Sequence, residues 1–113
     1  MRNLEGEQVL MRIFIGESDQ WEHRPLHATL IELFRRSGLA GATVLKGVAG
    51  FGAESVVHTA SLLRLSADLP LVIEVVDSQE RLDKVLPQID LMMSGRLITM
   101  EKVRVIKYEQ TRR

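Results

Sequence analysis

Apolar residues along the chain alternate in three short segments and recur at helical spacing in two others. In residues 8–16, Val9, Met11, Ile13 and Ile15 fall on one side of an extended chain, and this side is predicted to face the core. The alternation predicts strands over residues 8–16, 69–76 and 97–108, and residues 42–51, a run dense in small residues, are predicted to form another strand. Residues 1–7 are predicted to be a loose arm.

Two helices are predicted between these strands. Residues 25–37 repeat leucine and phenylalanine at helical spacing, begin at Pro25 and stop before Gly38. The second helix is expected to start at Asp77, acting as an N-cap with Glu80 completing a capping box. Its apolar face runs through Leu82, Val85, Leu86, Ile89, Met92 and Met93 as far as Gly95, and Pro87 should kink it.

The predicted order β-α-β-β-α-β is typical of an α+β, ferredoxin-like domain. Right-handed crossovers place both helices on one face of a four-stranded antiparallel sheet. A single domain over residues 1–113 is expected, with its core at about 8–108 and a long loop at 53–68.

The sheet face opposite the helices is predicted to be mixed in character. It should display Leu10, Phe14, Val72, Val76 and Ile106, with Arg12, Glu74 and Arg104 among them, while Val103 and Val105 point inward. A broad apolar patch of this kind is not expected to stay in water, and buried charges on it must be paired. Burial against copies of the same chain, with the two arginines flanking the glutamate, predicts a closed homo-oligomer.

Composition narrows the classes of function. The 113 residues contain 15 Lys and Arg, 15 Asp and Glu, and no cysteine. A net charge of zero argues against nucleic-acid binding, and the lack of thiols removes disulfides and cysteine metal sites. No segment resembles a signal peptide or a transmembrane helix, so a cytoplasmic location without membrane insertion is expected. No nucleophile lies beside a recognisable base, so a non-enzymatic role is favoured.

The clearest candidate site is the glycine-rich residues 46–52, here called the glycine segment. Gly47, Gly50 and Gly52 can let the backbone approach a phosphate or adenine, and the alternative is a bent strand at a corner of the sheet. His23, His27 and His58 leave a metal site open, without a clustered third ligand. Arg24, following the first strand, leaves an acylphosphatase-type hydrolase as another alternative.

Three runs of the sequence resemble a small PII-like family of unknown function. They are RPLHATLIELFRRSGLAGATVLKGVAGFG, HTASLLRLSADLPLVIEVVD and SGRLITMEKVRVIKY. The resemblance covers about residues 8–108 and implies a ferredoxin-like homotrimer. PII signalling proteins bind adenine nucleotides between subunits, at a Gly-Phe-Gly element that Gly50, Phe51 and Gly52 resemble.

The resemblance implies a regulatory or sensor protein with an adenine nucleotide as its ligand. The implied ligand-binding residues are Gly47, Gly50, Phe51, Gly52 and Arg96, and residues 53–68 resemble a shortened effector loop carrying His58 and Arg64. Where PII proteins have Arg-Gln after this element, the chain has Ala53 and Glu54, which favours AMP over a triphosphate. The implied partner is another protein, such as a membrane transporter.

Overall fold

A four-stranded antiparallel sheet is the main element of the computed structural model, which describes residues 2–51, 68–93, 95 and 97–110. Its strands are β1 (Asn3–Gly16), β4 (Thr43–Lys46), β5 (Pro70–Asp77) and β6 (Leu97–Glu109), while the short strands β2 (Gln20–Trp21) and β3 (Arg24–Pro25) pair separately. The order across the sheet is β4-β5-β1-β6. This is the predicted ferredoxin-like arrangement, because the first strand of the sheet lies between its third and fourth strands.

Two helices lie against one face of the sheet within the described residues. Helix α1 spans Leu26–Arg36 and buries Leu26, Leu30, Leu33 and Phe34, while α2 spans Gln79–Met92 and buries Leu82, Val85 and Ile89. They pack on the buried residues of β1 and β5, which are Val9, Met11, Ile13, Ile15, Leu71, Ile73 and Val75. The predicted inward face of β1 is therefore confirmed.

Several predicted boundaries were wrong. Residues 3–7 belong to β1 because β6 extends far enough to pair with them, so they are not a loose arm. The second strand is shorter than residues 42–51, since β4 ends at Lys46. The polar loop after β1 contains a small ribbon of β2 (Gln20–Trp21) and β3 (Arg24–Pro25).

The start of α2 also differs from the prediction. Ser78 is the N-cap, and its side chain accepts a hydrogen bond from the Arg81 amide at 3.2 Å. Asp77 is instead completely buried at the end of β5. The helix runs through Pro87, which is exposed, as far as Met92.

The register of β6 corrects the prediction for its second half. Val103 lies opposite Gln8 and Val105 opposite Gly6, so both share the face of Leu10 and do not point toward the helices. Arg104, opposite Glu7, is on the other face. A register shift between Leu4 and Gly6 follows, and Ile106 in this irregular stretch is 75% exposed. In the second half of β6, pairing with β1 determines on which face of the sheet each side chain lies, because the described helices do not bury this part of the strand.

Because β1 and β6 are longer than β5, they project beyond it as a two-stranded ribbon. Strand β5 pairs with β1 only from Val9 onward, so residues 3–8 pair only with residues 103–109 of β6 in the described part of the sheet. We call this ribbon the arm. It extends the sheet past the end of β5 and forms one side of the site described below.

Candidate functional site

A cavity lies beside the C-terminal half of β5, between the arm and the loop that leads from α1 to β4. It has a volume of about 510 Å³, within the range of roughly 300–1,000 Å³ common for small-molecule sites. We call it the end cavity. Its lining combines small and branched apolar side chains with three polar ones: Leu4, Ala40, Gly41, Ala42, Thr43, Glu74, Val76, Val105 and Tyr108.

A buried carboxylate holds the loop that walls the end cavity. Asp77 accepts hydrogen bonds from Arg2 (2.6 and 3.2 Å), from the Ser78 amide (2.7 Å) and from the Ala40 amide (2.8 Å). Burial opposes ionisation of Asp77, but the hydrogen bonds from Arg2, Ser78 and Ala40 outweigh it and hold the pKa of the carboxyl below its ordinary value. Asp77 is therefore an ion at neutral pH.

The same loop is held from the arm. The Tyr108 hydroxyl donates to the Ala40 carbonyl at 2.9 Å, and Arg2 Nη1 donates to the Gly38 carbonyl at 2.8 Å. Both the N–H and the C=O of Ala40 are thus bonded to side chains that are distant in sequence. The loop wall of the cavity depends on residues from the arm and from β5.

The polar floor of the end cavity is part of an ion network. Arg12 bonds Glu74 at 2.9 Å and Glu101 at 2.7 Å on the sheet face opposite the helices, here called the open face. These bonds, with Glu74 first, raise the pKa of Arg12 above its ordinary value. The prediction that Arg12 flanks Glu74 is confirmed. The placement of Arg104 was wrong, since Arg104 lies opposite Glu7 on the other face of the sheet.

The open face is otherwise largely apolar. Leu10, Phe14, Val72 and Val76 were predicted there, and the cross-strand register confirms them. The pairing of β4 with β5 and of β6 with β1 places four further apolar residues on this face, which the sequence pattern did not assign to it: Leu45, Leu97, Val103 and Val105. Apolar side chains therefore surround a central cluster of three charges.

The described glycines of the glycine segment pack closely on Pro70. A Cβ at Gly47 would lie 2.8 Å from Pro70 Cγ, and one at Gly50, whose φ is +146°, would lie 3.2 Å from it. The Gly47 amide already donates to the Pro70 carbonyl at 2.7 Å. The sheet-corner alternative therefore accounts for both glycines, and a ligand role for them stays a prediction.

This packing makes a substitution test available. We expect Gly47→Ala to lower the free energy of unfolding by about 1–3 kcal/mol, because the added methyl group meets the rigid Pro70 ring. Chemical denaturation of the purified protein measures this. Gly41→Ala is the matched control, since its added Cβ has no described atom within 4 Å other than those of its chain neighbours. Equal stability of the two variants would contradict a packing role for Gly47.

Other predicted site residues are not brought together by the described structure. Phe51 is 78% exposed, and Lys46 at the end of β4 pairs with Glu17 at 2.9 Å, which lowers the pKa of Glu17. Gly52, His58, Arg64 and Arg96 lie outside the described residues.

The described residues also bear on the other candidate sites. They contain no group of three His, Cys, Asp or Glu residues that could hold a metal ion. His23 has a positive φ of 66° and lies before α1 begins, and Pro25 separates it from His27. Within the described part of the chain, no helix is long and apolar enough to cross a membrane.

Comparison with known proteins places this architecture. A structure of CPII from Thiomonas intermedia K12, bound to ADP, AMP and acetate, matches with a TM-score of 0.59 over 93% of this chain and 92% of that one. At 14% identity, this likeness concerns the fold, which is that of a PII-like, ferredoxin-like α+β protein.

The sequence comparisons define the family. The model of the DUF190 family, described as "Uncharacterized ACR, COG1993", matches residues 8–105. A UPF0166 protein of Aquifex aeolicus is 37% identical over 100 residues, covering 88% of this chain and 94% of its own. A UPF0166 protein of Methanocaldococcus jannaschii is 33% identical over 101 residues, covering 88% and 93%. The chain belongs to the DUF190 family, and its resemblance to a PII-like family of unknown function is confirmed.

Proposed function

We propose that this protein is a non-enzymatic, trimeric PII-like regulator that binds an adenine nucleotide, AMP in particular, and signals to a partner protein. The end cavity is the observation that carries the proposal. The ADP and AMP bound by the structural neighbour support the choice of nucleotide. Residues 53–68 would serve as the partner-facing loop, and a transporter is the kind of partner that the family resemblance implies.

The chemistry of the end cavity suits an adenine base. Val76, Val105 and Leu4 offer apolar surface to the faces of a flat ring, while Glu74 and Thr43 offer polar groups to its edge. Glu74 Oε2 accepts from Arg12, and a carboxylate has further lone pairs with which it can accept the 6-amino group of adenine. A 6-oxo purine presents an acceptor at that position and would face the carboxylate unpaired.

The phosphate would extend away from Glu74, because two anionic groups repel each other. Strand β4 leads from Thr43 in the end cavity to Lys46 and the glycine segment, a distance of about 10 Å at the usual rise of a strand. Lys46 is paired with Glu17, so its charge is already partly neutralised. This favours a monophosphate over a triphosphate, and Gly50, Gly52 and Arg96 stay the proposed residues nearest to it.

Calorimetry with nucleotides tests the proposal. We expect wild type to bind AMP saturably at about one site per chain, and to bind IMP at least tenfold more weakly because IMP leaves Glu74 without its hydrogen-bond donor. Glu74→Gln should reduce the preference for AMP over IMP. Equal binding of AMP and IMP by wild type would contradict the assigned role of Glu74, and no binding of any adenine nucleotide would contradict the proposed ligand.

Glu101→Gln is the matched control for this test. Glu101 bonds the same Arg12 guanidinium as Glu74 does, but it does not line the end cavity. Loss of the AMP preference in both variants would assign the effect to Arg12 and the ion network. Loss in the Glu74 variant alone would assign it to recognition of the base.

A further inference from the structure

The loop between α1 and β4 separates two cavities. Ala40, Gly41 and Ala42 line the end cavity on one side and a second cavity of about 290 Å³ on the other. The second cavity lies against α1, where Ile31 and Phe34 contribute to its wall. Apart from its chain neighbours, no atom of the described residues lies within 4 Å of a Cβ added at Gly41. Residues 40–42 therefore form a thin partition between the two cavities: Ala42 packs against the core, but close packing does not determine the position of Gly41.

Hydrogen bonds from outside the loop determine that position instead. Arg2 bonds both the Gly38 carbonyl and the Asp77 carboxylate, which in turn accepts from the Ala40 amide. The Arg2 carbonyl accepts from the Gln110 amide at 3.0 Å, so a hydrogen bond between the residues directly next to the arm holds Arg2 in place. One arginine thus joins the arm, the loop and the end of β5.

We propose that Arg2 is a positioning residue for the end cavity: docking of its guanidinium on Asp77 and Gly38 holds the partition and keeps the cavity open to its ligand. The inference rests on the proposed function for the identity of that ligand. When Arg2 is released, the partition moves toward one of the two cavities and changes the volume of both. A ligand in the end cavity then stabilises the docked position of Arg2, and docking of Arg2 raises the affinity for the ligand by the same factor.

Amide hydrogen exchange of the ligand-free protein tests the positioning. In Arg2→Gln we expect the amides of residues 38–42 to exchange at least tenfold faster than in wild type, while Ile73 and Val75 in β5 keep their protection. Lys107→Gln is the matched control, because Lys107 is a cation of the arm whose ion pair among the described residues is with Glu109 and not with the loop. Unchanged exchange at residues 38–42, or an equal increase in β5, would overturn the proposal.

The coupling to ligand is measured with AMP as the probe. We expect at least tenfold weaker AMP binding by Arg2→Gln, and slower exchange of the Ala40 amide when wild type is saturated with AMP. Equal AMP affinity of wild type and Arg2→Gln would overturn control of the cavity by Arg2. If wild type bound no AMP, the proposed function would fall together with the ligand coupling, whereas the exchange comparison would still decide whether Arg2 positions the partition.

Tyr108→Phe gives an independent test that needs no change at Arg2. It removes only the hydroxyl that donates to the Ala40 carbonyl. Faster exchange confined to residues 38–42 is expected here as well. Retained protection at these residues would show that the arm does not hold the partition through Tyr108.

Discussion

Asp77→Asn is expected to lower the free energy of unfolding at pH 7 by about 3 kcal/mol, because it removes the charge from a fully buried group that pairs with an arginine. The Arg2 side chain is 23% exposed, so water can solvate its charge when Asp77 no longer pairs with it. The expected loss of stability is therefore at the low end of the range for breaking a buried ion pair. The asparagine NH₂ group would also face either the Ala40 amide or the Ser78 amide, each of which is a donor to one oxygen of Asp77. Urea denaturation at one fixed protein concentration measures the difference.

The same pair predicts a pH dependence. The folded-state pKa of Asp77 is lowered, so its contribution to stability is fully present above the unfolded-state value of about 3.9 and is lost as the pH falls through the folded-state value. The stability deficit of Asp77→Asn should therefore shrink in acid, where wild type carries a neutral acid at this position. Asp83→Asn is the control, since Asp83 is exposed and accepts only from Gln79 among the described bonds. A deficit that stayed constant down to pH 2 would contradict the pairing.

The order of elements followed from local pattern. Strand β1 and helix α1 each bury one face, so their apolar residues alternate or recur at helical spacing. A short stretch of sequence is enough to recognise such a pattern. The second half of β6 has apolar residues on both phases of the alternation, at Val105 and Ile106. Its facing depends on pairing with β1 and on the register shift near Gly6, and neither is visible locally.

The candidate site was less predictable for the same reason. The end cavity takes its lining from β1, the loop before β4, β5 and β6, and each segment by itself resembles ordinary core or loop. Asp77 resembled a helix cap because it precedes α2, while its true partner, Arg2, lies 75 residues away. The one local signal was a lone tyrosine near the end of β6, which a buried hydrogen bond would explain.

The largely apolar open face leads to a prediction about the assembly of the subunits. Val72→Asp is expected to convert the proposed trimer, with a mass three times the 12.8 kDa of the chain, into monomers. Val72 lies between Phe14 and Leu45 on this face and is only half-buried within one chain, so its replacement leaves the core of the subunit intact. Burying a new carboxylate among apolar groups of neighbouring copies, without a partner, costs several kcal/mol per subunit. Light scattering measures the mass.

Leu91→Asp separates this effect from a general effect of added charge. Leu91 is 79% exposed on α2, away from the open face, so this variant should keep the mass of wild type. Circular dichroism would establish that both variants retain their folded secondary structure. A Val72→Asp variant that stayed trimeric would show that the open face is not the subunit interface, because an unpaired carboxylate at the centre of an apolar interface prevents association. Monomeric Leu91→Asp with trimeric Val72→Asp would assign the interface to the helices instead.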